Sequence, residues 1–107
     1  MINIQKMMQQ AQQVQFKLQE MQEKFKDMYV NGQAGNGAVK MTMSCAGVLS
    51  EVSIEPSLLT PDNKEILEDL IIAAHGNTFE AKEALIKEES ARMMESLGLP
   101  KDQKLPF

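Results

Sequence analysis

Apolar and polar residues alternate strictly from Val39 to Cys45, with Val39, Met41, Met43 and Cys45 set against Lys40, Thr42 and Ser44. After Ala46-Gly47 the alternation resumes as Val48, Ser50, Val52 and Ile54 against Leu49, Glu51, Ser53 and Glu55. A period of two over both runs predicts paired antiparallel strands that bury one face. Before them, the glycines of Asn31-Gly32-Gln33-Ala34-Gly35-Asn36-Gly37 predict a turn, with a glycine-weakened third strand from Tyr29 to Ala34. Long helical patterns flank this small sheet, over residues 3–28 and 61–97.

In the first helix Ile4, Met7, Ala11, Val14, Leu18, Met21, Phe25 and Met28 form an unbroken heptad seam. The flanking positions hold Gln15, Gln22, Lys17 and Lys24 without the opposed charges of a parallel zipper, so the seam is expected to pack on other elements. The second helix should begin at Thr60-Pro61, a capping residue followed by a proline suited to the first helical position. One of its faces carries Ile66, Leu67, Leu70, Ile71, Ala74, Ala81 and Leu85. A second stripe, Ile72, Phe79, Ile86 and Met93, recurs every seven residues about 140° away, with no evident cover within the chain. That stripe is expected to be the interface of a homodimer.

At 107 residues the chain is expected to form one domain, residues 1–107, with a short tail at about 98–107. So small a core covers extended helices poorly, which again favours a paired chain. The fold class expected is α+β, in the order α-β-β-β-α. A single cysteine excludes an intramolecular disulfide, and Cys45 falls in the inward set of its strand as a small core residue. Without a long apolar run or a signal-peptide pattern, the expectation is a cytoplasmic protein with no membrane partner.

The net charge of −4 rules against a generic polycation, yet it is unevenly spread. Residues 48–89 carry all of the excess acid, whereas the first 28 residues and the last 18 are each weakly positive. Lys6, Lys17, Lys24 and Lys26 on the first helix, with Arg92, Lys101 and Lys104 as a second patch, are therefore the candidate phosphate contacts. Glutamine is abundant on the first helix, and amides also bond phosphates without adding charge. Phe16 lies off the seam, on the outer side, where an aromatic ring is unexpected. His75 has no nucleophile or second ligand at useful spacing, and neighbouring carboxylates such as Glu68-Asp69 point apart around a helix. The residues suggest neither an enzyme, nor a cofactor, nor a small-molecule substrate.

Several blocks stand out: Met7-Met8-Gln9-Gln10-Ala11-Gln12-Gln13, the glycine turn into Val39-Lys40-Met41, Val52-Ser53-Ile54-Glu55-Pro56-Ser57-Leu58-Leu59, Glu68-Asp69-Leu70-Ile71-Ile72-Ala73-Ala74 and the ending Leu105-Pro106-Phe107. Together they resemble the YbaB/EbfC family of bacterial nucleoid-associated proteins. The passage from Val52 to Leu59 is the most specific. The resemblance implies a tweezer-like homodimer that binds double-stranded DNA and changes its shape, located on the nucleoid. It differs from the family pattern where His75-Gly76 interrupts the long helix. The alternative is a protein-interaction scaffold or prefoldin-like chaperone module, whose helical arms need longer heptads than residues 3–28 supply.

Overall fold

The computed structural model describes residues 3–98. Helix α1 (Ile4–Phe25) leads into strands β1 (Tyr29–Ala34), β2 (Val39–Ser44) and β3 (Leu49–Ile54), and helix α2 (Lys64–Ser96) is the last described element. The sheet is antiparallel in the order β1-β2-β3. The α-β-β-β-α order and the third strand are thus as the sequence predicts.

Local chemistry accounts for the element ends. The Asn3 side chain caps α1 by accepting from the Lys6 amide at 3.2 Å. Gly35, Asn36 and Gly37 all have positive φ, so the β1–β2 turn needs the glycines and the asparagine that occupy it. Proline shifts the start of the last helix. Pro61 opens a 3-10 turn over Pro61–Asn63, capped by Thr60 at its backbone only, and α2 begins at Lys64. His75-Gly76 does not interrupt α2, which runs unbroken for 33 residues.

The inward set of β2 is buried as its alternation requires: Val39, Met41, Met43 and Cys45 are each at most 3% exposed. In β3 the alternation is broken by a bulge. Thr42 pairs with Glu51 but Met43 pairs with Leu49, which leaves Ser50 as the extra residue, its hydroxyl donating to the Thr42 carbonyl at 3.2 Å. The bulge puts Leu49, instead of Ser50, on the inward face with Val52 and Ile54. An unbroken period of two through Val48 and Ser50 is therefore corrected.

α2 packs across β1 and β2. At the crossing, Gly32 faces Thr78 so closely that no side chain fits between them. The Asn77 amide donates to the Gln33 carbonyl at 2.8 Å, and the buried Thr78 hydroxyl donates to the Ala74 carbonyl at 2.6 Å. One core cluster forms here from Val39, Met41 and Ala74, flanked by Leu67, Leu70 and Ile71. A second cluster forms further along α2, where Met21 and Phe25 of α1 meet Cys45 and Met93. Ile86, Leu85 and Leu97 pack around it.

The resulting molecule is long, 72 × 21 × 16 Å, with a radius of gyration of 19.4 Å. A compact chain of this length would have a radius of about 13 Å. Its surface of 7931 Å² likewise exceeds the roughly 6,000 Å² of a compact monomer of 12.0 kDa.

Candidate nucleic-acid interface

The seam of α1 is used only in part. Val14, Leu18, Met21 and Phe25 turn towards α2, whereas residues 3–13 are exposed on every side. Ile4 and Met7, although on the seam, are 71% and 55% exposed. Three turns of helix thus form an exposed arm, with Ser96 and Leu97 from the end of α2 sharing a pocket with Met7, Gln10, Ala11 and Gln13. From Asn3 to Gln19 this arm contains Lys6, Lys17 and seven glutamines but no carboxylate; the acids of α1, Glu20 and Glu23, lie in the third nearest the body.

Most of the candidate cations are engaged. Lys17 lies 3.7 Å from Glu20, Lys26 bonds Glu23 at 3.0 Å, and Lys24 reaches across to Glu89 on α2 at 3.3 Å. Arg92 holds Glu88 and Glu89 at 2.7 and 2.8 Å. Lys6 has no ion-pair partner among the described residues, and Lys101 and Lys104 lie outside them. The fold brings Lys17, Lys24 and Arg92 around a single cleft between α1 and α2, with Glu20 and Glu89 on the same walls. With Glu88 also held by Arg92 at its edge, three cations stand against three carboxylates and the cleft is close to neutral. The exposed pairs are worth little, about 0–1 kcal/mol each, so a phosphate can compete for these cations at small cost. Glu89 differs: it is 9% exposed and accepts from both Lys24 and Arg92, which fixes α1 against α2.

The stripe expected at a dimer interface divides in two. Met93 is 6% exposed within the core shared with α1, and Ile86 is half-buried against the same cluster, because the Met21 and Phe25 end of α1 covers them. Ile72 and Phe79 remain 71% and 44% exposed. The sequence pattern missed their neighbours in kind. Leu49 and Val52 lie on the inward face of β3 but are still 41% and 47% exposed, since α2 packs on the other two strands. The consecutive apolar pair Val48-Leu49 was the only sequence signal that the strand changes face there.

Phe79 is framed by charge and ring. The Lys82 ammonium sits 4.1 Å from its ring centroid, and the His75 ring stacks at 6.4 Å. Near the second core, burial pushes the Cys45 thiol above its ordinary 9.0; Lys82 opposes that rise and Glu89 adds to it. The thiol is therefore a neutral core group at physiological pH.

The first helix thus presents an exposed arm without carboxylates from Asn3 to Gln19. Residues 1–97 match the YbaB/EbfC DNA-binding family, and the chain belongs to that family. It is 42% identical over 101 residues to a nucleoid-associated protein of Methylocella silvestris, covering 94% of each chain. Its fold is that of an uncharacterized protein from Helicobacter pylori, whose crystal structure superposes with a TM-score of 0.76 at 21% identity, over 88% of this chain and 99% of the other. No helix among the described residues is long and apolar enough to cross a membrane.

Proposed function

We propose that this protein is a nucleoid-associated, cytoplasmic DNA-binding homodimer that holds duplex DNA with little sequence preference and changes its conformation, thereby affecting nucleoid organisation and gene expression. Membership of a DNA-binding family carries the reading. The arm supports it, because a polyanion meets no carboxylate from Asn3 to Gln19. Lys6, Lys17, Lys24, Lys26 and Arg92, with Lys101 and Lys104 of the tail, supply the phosphate contacts. With one arginine in the chain, bidentate reading of guanine is scarce and selectivity is weak.

Pairing follows from what one chain leaves bare. Ile72 and Phe79 on α2 and Leu49 and Val52 on β3 are an apolar area that a second copy would cover. A dimer also presents two arms, which a protein needs if it is to bend a duplex between them. Mobility-shift titrations on several unrelated duplexes at one salt concentration test the function. Affinities should agree within about tenfold, a spread of roughly 1.4 kcal/mol; no shift at all, or a hundredfold preference, would overturn it. Light scattering tests the dimer. Phe79→Asp should give a monomer or insoluble protein, and an intact, well-folded dimer would dismiss that interface. For the phosphate contacts, the Lys6→Glu, Lys17→Glu double variant is the cleaner choice, since Lys24→Glu would set a carboxylate against Glu89.

A further inference from the structure

Phe16 is 65% exposed on the face of α1 opposite the seam, at the base of the arm. Gln5, Gln9, Gln12 and Phe16 follow one another at steps of four, three and four residues, so they lie on a single line along the helix. Lys6, Gln13 and Lys17 form the adjoining line, about 100° round from the first. Gln9, Gln12, Gln13, Phe16 and Lys17 wall a shallow cleft that the tip of Leu97 closes on one side. None of these side chains is spent on the core: all five are exposed. An amide line ending in an aromatic ring, beside Lys6 and Lys17 and with its first carboxylate, Glu20, one turn beyond Phe16, has the chemistry of a base-edge contact beside a phosphate contact.

From this placement we infer that the Gln5-Gln9-Gln12-Phe16 line enters the major groove of duplex DNA, the amides meeting adenine edges and Phe16 resting on thymine methyl groups, while Lys6 and Lys17 flank it at the phosphates. The inference rests on the DNA-binding reading above and assigns the non-ionic part of the contact. Dimensions agree. A helix with its side chains is about 10–12 Å across, and the major groove is about 12 Å wide. Residues 3–13 are exposed, and among the described residues Leu97 borders the cleft that the duplex would approach. Carboxylate-free surface from Asn3 to Gln19 decides for DNA over a protein partner of ordinary mixed charge. Glutamine accepts and donates at adenine, and an apolar side chain against thymine is the matching partner, so the bias is towards A·T pairs and remains within the weak selectivity proposed above.

The test uses the full-length protein, one duplex rich in A·T pairs, and the same duplex with deoxyuridine in place of thymidine, which removes only the methyl groups. Binding is followed by fluorescence anisotropy at several salt concentrations. Wild-type protein should bind the deoxyuridine duplex several-fold more weakly. Phe16→Ala should bind the thymidine duplex about tenfold more weakly, should no longer distinguish the two duplexes, and should keep the wild-type salt slope. Lys17→Ala, by contrast, should lower that slope by about 0.9 for each phosphate left without its lysine. Phe16→Leu keeps apolar area and should recover most of the affinity, which separates the contact from a folding defect. Equal binding of both duplexes by wild-type protein overturns the inference, as does a Phe16→Ala variant with undiminished affinity. Both of those results leave DNA binding standing, whereas a wild-type protein that binds neither duplex removes the DNA-binding reading itself.

Discussion

Replacing Gly32 by alanine is the sharpest test of how α2 sits on the sheet. A Cβ built at Gly32 falls 2.6 Å from both the Cα and the backbone nitrogen of Thr78. Ordinary carbon contacts lie near 3.5–4.0 Å, so the overlap is roughly 1 Å. The Thr78 hydroxyl is closer still, but the other two atoms are main chain, so no rotamer change relieves the clash. The helix must instead rise off β1, which opens the packing around Val39 and Ala74, both fully buried, and around Met41 at 3% exposure. Overpacking of this kind costs about 1–3 kcal/mol, and the alanine returns only about 0.4–1 kcal/mol by stiffening the unfolded chain. We expect a net loss of about 1.3 kcal/mol, a sizeable share of the roughly 5–15 kcal/mol that holds a small domain. Urea denaturation followed by far-ultraviolet circular dichroism, at fixed protein concentration, should then show the midpoint lowered by about 0.6 M at a typical slope of about 2 kcal/mol per molar urea. An unchanged midpoint refutes the reasoning. So does rescue by Thr78→Ala, because that change removes the hydroxyl but leaves the obstructing backbone in place.

Gly76 should behave in the opposite way: it lies in mid-helix, a Cβ there would meet nothing within 4 Å, and Gly76→Ala should raise stability by about 0.5–1 kcal/mol in the same urea assay. Glu89→Gln keeps the shape but weakens two charge-assisted bonds, to Lys24 and Arg92, and should cost about 1–2 kcal/mol, seen as a lower melting temperature. The Cys45 thiol ionises at higher pH folded than unfolded, so the folded state keeps its proton longer and this group's contribution is full below 9.0. Between 9.0 and the raised folded value the unfolded chain holds fewer protons, and stability falls as pH rises. The urea stability of wild type relative to Cys45→Ala should therefore be constant from pH 7 to about 8 and decline above 9.

The strands were legible because β2 is buried on one face only, and a period of two reports that directly. Both helices were legible from their seams, and the dispensable nature of the His75-Gly76 interruption was not, since propensity alone does not count the packing that holds α2 in place. β3 was misread from Ser50 towards its start: a bulge adds one residue, and nothing local distinguishes an added residue from a turn. The stripe through Ile72, Phe79, Ile86 and Met93 illustrates a deeper limit. Periodicity says that those residues share a face of α2; it cannot say that α1 doubles back and covers two of them. The lysines were recognised as the cations of α1, but their pairing with Glu20, Glu23 and Glu89 depends on rotamers and, for Glu89, on a helix about 65 residues away. The bareness of the arm was likewise invisible, because it depends on where α2 ends beside α1.

The seat of the arm has a chemical consequence. Four sulfur atoms from Met21, Met93, Cys45 and the half-buried Met28 meet where α1 joins the body, and Met94, 1% exposed, lies next in sequence. Thioethers suit the irregular gap between helix and sheet, but each accepts an oxygen atom under peroxide stress and becomes polar. Met21 and Met93 reach the cleft that holds Lys17, Lys24 and Arg92, so a sulfoxide there would draw those donors away from Glu20 and Glu89. Oxidation at this joint would therefore loosen the contacts that aim the arm, and methionine sulfoxide reduction would restore them.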